Sequence, residues 1–212
     1  VVLLILGVED PKPSSGQPLR PAPIRPSQIR DMGRPFWTVV GVGVVFTMAR
    51  FSEAFLVLRA QDVGLAVALV PVVMVVMNIV YSAVSTPAGS LSDRIDRRQL
   101  LAVGLGVLVA ADAVLALVPN VAGVLVGVAL WGLHMGLTQG VLAALVADAA
   151  PENLRGTAFG LFNLATGITL LAASALAGLL WTALGAPATF AAGGAFAALA
   201  ALGLLAVIRR PS

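Results

Sequence analysis

Two groups of side chains in this 212-residue chain are of types that can act on a solute or a proton. Arg50 and Glu53 stand three residues apart, so on a helix a guanidinium and a carboxylate share one face, with Phe46 one turn earlier. Trp131, His134 and Thr138 follow i, i+3, i+7 spacing, which lines up an aromatic ring, an imidazole and a hydroxyl, with Gln139 beside them. An imidazole with an ordinary pKa of about 6.5 suits a proton relay, and equally a hydrogen-bonded packing role. Asn163 with Thr166, and Asn78, add groups able to bond a solute or a neighbouring helix. Catalysis asks for more: paired carboxylates, a serine beside a base, or a metal cluster. With no cysteine and one histidine there is no thiolate nucleophile and little for a zinc site, and no Gly-x-x-x-x-Gly-Lys-[Ser/Thr] phosphate loop is present. The reading is a non-enzyme without metal or cofactor.

The elements that must position these groups follow from composition. Hydrophobic residues make up 59% of the chain and charged residues 11%, with a mean hydropathy of +0.99. Soluble domains carry about 25% charged residues, so this chain cannot cover a water-facing surface and belongs in a bilayer. Val1–Val8 is apolar, without a basic leader or a small-residue cleavage site, and reads as the end of a preceding transmembrane helix. Residues 9–35, rich in Pro, Ser and Arg, read as a linker. Residues 36–212 form a six-helix bundle, with spans expected at 36–58, 65–86, 99–118, 121–147, 156–181 and 187–208. Leu100–Val118 is apolar on every face except at Asp112, a helical and not a barrel pattern. Glycine pairs such as Gly104 and Gly106, Gly123 and Gly127, and Gly136 and Gly140 suit close helix packing. Basic residues fall in alternate connections: Lys12 to Arg34, then Arg94, Arg97 and Arg98, then Arg155, then Arg209 and Arg210, with Arg59 alone opposite. The positive-inside rule places both ends and those loops in the cytoplasm. Basic clusters distributed this way report topology and not nucleic-acid binding.

Two loops carry a more specific pattern. Gly89-Ser-Leu-Ser-Asp93-Arg94-Ile-Asp96-Arg97-Arg98 resembles the G-x-L-a-D-r-x-G-r-[RK] loop of major facilitator superfamily transporters, departing at Asp96 where the pattern has glycine. Asp148-Ala-Ala-Pro-Glu-Asn-Leu-Arg155-Gly156-Thr-Ala-Phe-Gly160 resembles the loop before the fifth helix of each six-helix half. Arg50–Leu56 and Trp131–Gly136 are also similar to bacterial permeases of this superfamily. The resemblance implies the carboxy-terminal half of a twelve-helix all-α membrane protein, a secondary transporter working by alternating access in a bacterial inner membrane. Its partners would be a small solute, the amino-terminal half, the lipid bilayer and possible coupling protons through Glu53 or His134.

In that family the first and fourth helices of a half line the central cavity. Arg50, Glu53, Trp131, His134 and Gln139 are therefore cavity candidates, ahead of Asp112 on the third span, and Asn163 on the fifth span joins them as a residue able to hydrogen-bond a solute. Gly89, Asp93, Arg94, Arg97, Arg98, Asp148, Arg155 and Gly156 are the gate candidates, with the arginines able to hold Asp93. Arg50 and Asp112 lie at similar depth, so Arg50 is expected to pair with Glu53 or Asp112. The competing reading is a self-associating six-helix scaffold that transports nothing.

Overall fold

The computed structural model describes residues 32–208, and all regular structure there is helical. The expected helix end at 1–8 and the linker up to residue 31 lie outside the described residues. The last residues of the expected linker already join the bundle: Met32 is buried, and α1 (Arg34–Ala49) begins with Pro35 in its first turn, two residues before the expected start, where a missing N–H costs nothing. After α1 come α2 (Ala54–Asp62), α3 (Val70–Ser92), α4 (Arg97–Leu117), α5 (Val121–Ala149) and α6 (Arg155–Ile208), with 3-10 turns at Val67–Leu69 and Glu152–Leu154. Taking α1 with α2 and counting the 3-10 turns with the helices they lead into, five segments are long and apolar enough to cross a membrane.

The last of these makes two crossings. Its 54 residues would run about 80 Å if straight, against a hydrocarbon core of about 30 Å. Gly185, at φ 84° and ψ 178°, sits in a region that essentially only glycine enters. Trp181 and Phe190 have ring centroids 6.3 Å apart, whereas nine residues of straight helix would separate them by about 13 Å. Ala173 and Phe196 line one small void. The chain therefore doubles back at Gly185 into a first arm (155–184) and a second arm (186–208), giving six crossings.

The first span departs from the expected continuous helix. Arg50 is extended, at φ −122° and ψ 102°, and the helix restarts at Ala54 and runs to Asp62. A break in lipid would strand backbone groups, yet here the Ser52 N–H donates to Ser174 Oγ of the first arm at 3.1 Å.

α5 is the central post, packed on α3 and α4, while α6 packs on α4 and α1. At Gly132 a Cβ would run into the Met77 carbonyl of α3, so the bare backbone sets how closely these helices approach. Leu101, Leu105, Leu108, Val128, Trp131 and Phe190 make the main core, and a second cluster of Met32, Phe36, Val146 and Ala158 seals the end bearing the two motif loops. Leu164, Ile168, Leu171 and Leu179 point outward, as lipid contact requires.

Candidate functional site

The break at Arg50 opens onto a cleft of about 350 Å³ between α1, α5 and the first arm. Its polar lining is Thr47, Arg50, Gln139, Asn163 and Thr166, and its floor includes Gly43, against which the Phe162 ring rests. Thr47 donates to the Gly43 carbonyl and Thr166 to the Phe162 carbonyl, each at 2.8 Å, so both hydroxyls are spent on their own helices. Arg50, Gln139 and Asn163 make no side-chain hydrogen bond among the described residues, and they converge from three helices. They can supply a cationic fork and two amides to a bound solute.

The remaining cavity candidates lie elsewhere. His134 is buried at the end of a side crevice of about 40 Å³ that shares Thr47, Arg50 and Gln139 with the cleft. Its Nδ1 lies 2.8 Å from the Gly104 carbonyl, which can only accept, so Nδ1 carries the proton. Thr138 donates to the His134 carbonyl and seats its methyl on Gly104. Trp131 is not a wall of the cleft: fully buried, it stacks in the core 5.5 Å from the Phe51 ring, because this stripe of α5 faces α4 and the 50–53 segment. Glu53 takes the N-cap position of α2 and is half-buried away from the cleft lining.

Neither expected ion pair of Arg50 forms. Among the described residues the pairs are Arg59 with Asp62 and Arg97 with Asp148. Unwinding at 50–53 removes the shared helical face that would have joined Arg50 to Glu53, and Asp112 packs instead on Gly193 and Gly194 of the second arm. Among the described residues no group of His, Cys, Asp or Glu is arranged to hold a metal.

The two motif loops meet at one end of the bundle. Arg97, in the first turn of α4, pairs with Asp148 at the end of α5, and not with Asp93. Asp93, Arg94 and Arg98 are exposed, as are Arg155 and Gly156. Asp96 does not spoil the turn: its carboxylate caps α4 by accepting from the Arg98 N–H at 2.8 Å. Nothing in the described chain comes within 4 Å of where a side chain on Gly89 or Gly156 would stand, so these glycines serve no contact within this bundle.

Sequence reasoning missed Arg59. Taken as the one basic residue of the opposite loops, it is 3% exposed and its Nε donates to the Leu115 carbonyl at 2.9 Å. A cation there complements the carboxyl end of α4 and ties α2 to it. Residues 56 positions apart leave no local signal of such a contact.

A family model for the Major Facilitator Superfamily matches residues 38–212. The chain is 32% identical over 159 residues to the uncharacterized MFS-type transporter MJ1317 of Methanocaldococcus jannaschii, an alignment covering 72% of this chain and 40% of that protein. It is 30% identical over 156 residues to the inner membrane transport protein YajR of Escherichia coli, covering 71% and 34%. An uncharacterized protein of Mycobacterium tuberculosis, Rv2265, is 27% identical over 183 residues, covering 85% and 44%. The chain thus spans less than half the length of these relatives. With its all-helical bundle and membrane-crossing helices, this integral membrane chain belongs to the Major Facilitator Superfamily.

Proposed function

We propose that this chain is the carboxy-terminal six-helix half of a secondary transporter that moves a small solute bearing an anionic group by alternating access. The observation that carries the reading is the broken first span, which delivers Arg50 into a polar cleft beside Gln139 and Asn163. Broken helices at membrane depth persist where they line a cavity, and transporters use them to meet solute. An amino-terminal half would close the open side of the cleft, with the Pro- and Arg-rich stretch before Met32 linking the two. Gly89 and Gly156, bare on the outer surface of their loops, suit close contact with that half, and the Arg97–Asp148 pair would hold the gate end together. The basic loops support cytoplasmic ends by the positive-inside rule, and the name of the Escherichia coli relative supports a bacterial inner membrane.

Proton coupling through Glu53 or His134 is the further element of this reading. His134, with Nδ1 committed to Gly104, favours a fixed role, which leaves Glu53. Uptake that ignores an imposed pH gradient, or that survives Glu53→Gln with its gradient dependence intact, would remove this element.

The reading is tested by thermal unfolding of the purified full-length permease against a panel of small carboxylates, phosphates, amines and neutral solutes. A stabilising anionic solute should lose its effect in Arg50→Gln. Stabilisation by amines alone, or by an anion equally in Arg50→Gln, would refute it.

A further inference from the structure

Asp112 lies five residues before the end of α4 with no exposed surface, and neither carboxylate oxygen has a hydrogen-bond partner. Its neighbours are apolar. A Cβ on Gly193 would stand 2.9 Å from Asp112 Oδ2 and 2.8 Å from the Phe51 ring, and one on Gly194 would stand 3.3 Å from Asp112 Cβ. The second arm thus offers two bare residues where the carboxyl packs, and any side chain at Gly193 would collide with it.

The charged and titratable groups on the packed elements do not compensate it. On α5 the groups are His134, bonded to Gly104 two turns down α4, and Asp148, paired with Arg97 at the far end. On α2 the group is Arg59, whose Nε donates to the Leu115 carbonyl and whose Nη1 pairs with Asp62; its Nη2 has no partner, and it forms no ion pair with Asp112. Arg50 and Glu53 flank Phe51, and neither forms an ion pair with Asp112. Between its ends α4 carries no other charge, and the described part of the second arm carries none.

An ionised carboxylate sealed among apolar groups costs several kcal/mol without a partner. A metal cation would not relieve this, since it needs about six oxygen ligands and among the described residues no group of His, Cys, Asp or Glu is arranged to hold one. A proton does relieve it with no further ligand. Room exists for the arm to move: a groove of about 350 Å³ lined by Val109, Phe190 and Gly194 lies on one side. A void of about 30 Å³ lined by Phe51, Thr189 and Gly193 lies on the other.

We propose that Asp112 is a proton-binding site, sealed in this conformation by the Gly193–Gly194 face of the second arm and opened to water when that arm parts from α4. Binding forms one O–H bond on the carboxylate from hydronium and releases water; opening reverses it. The site stands on its own geometry and does not depend on the transported solute.

The test is infrared spectroscopy of the purified full-length protein in lipid bilayers at neutral pH, read at the carbonyl stretch of protonated carboxyl groups. Wild type should show this band, unchanged by sodium, retained in Glu53→Gln/Asp62→Asn and lost in Asp112→Asn. Gly193→Ala, which pushes the arm off the carboxyl, should speed its deuterium exchange at least tenfold. No band in wild type would overturn the proposal without recourse to any variant. A band that sodium abolishes, that persists in Asp112→Asn, or that disappears in Glu53→Gln/Asp62→Asn would overturn it as well. Should Asp112→Asn fail to fold, the double variant and the exchange rate of Gly193→Ala decide the assignment.

Discussion

Gly132→Ala and Gly140→Ala make the same chemical change on α5, eight residues apart, and should have opposite effects. At Gly140 nothing lies within 4 Å of the new methyl, so the change only trades glycine for a better helix former, worth about 1 kcal/mol or less. At Gly132 the methyl would overlap the Met77 carbonyl oxygen and stand 3.2 Å from its carbon, and a backbone cannot turn aside as a side chain can. α3 and α5 must separate by roughly 1 Å, and a gap of that size forfeits about a quarter to a half of each dispersion contact along the seam. Overpacking of this kind costs about 1–3 kcal/mol, more than the propensity gain, so Gly132→Ala should be destabilised by about 2 kcal/mol net. Reversible unfolding in mixed micelles by increasing denaturing detergent measures both. Gly132→Ala unfolding at or above the wild-type midpoint, or Gly140→Ala falling as far as Gly132→Ala, would show that the wrong face of α5 has been assigned to α3.

Gly185→Ala places a Cβ where φ is 84°, and should cost about 1–3 kcal/mol in the same unfolding assay. Ser174→Ala withdraws the acceptor of the Ser52 N–H, leaving a partly buried amide unpaired; a loss of about 1–2 kcal/mol is expected, together with weaker solute stabilisation because Arg50 is no longer held. In a double-mutant cycle, Arg97→Ala and Asp148→Ala should couple by only about 0.2–1 kcal/mol in unfolding, since Asp148 is 62% exposed. A larger effect of these two on transport than on unfolding would mark the pair as part of the gate.

Composition was enough to read a membrane bundle, because a run such as Leu100–Val118 has no alternative to lipid, but the span limits were displaced by several residues in places: α3 runs Val70–Ser92 against an expected 65–86. The reversal near residue 185 was readable too, as the gap between the expected spans 156–181 and 187–208. The unwinding at 50–53 was not: Arg-Phe-Ser-Glu contains neither glycine nor proline, and the break is sustained by Ser174, 122 residues away. Arg50, Gln139 and Asn163 were identified from residue type and helix order, and the cleft that they share comes from packing. Trp131 was misplaced for a related reason. Spacing correctly put it on one stripe with His134 and Thr138, but spacing cannot say which neighbour that stripe faces, and it faces α4. Asp112 was set aside as a residue of a peripheral helix, whereas its burial depends on two glycines that only the folded second arm brings beside it.

Six crossings with both motif loops on one side are tested most directly by labelling single cysteines, introduced into this cysteine-free chain, with a membrane-impermeant maleimide. Ile95→Cys and Asn153→Cys should react from one face of the membrane, and Val67→Cys and Leu184→Cys from the other. Reaction of Ile95→Cys and Asn153→Cys from opposite faces would contradict this topology.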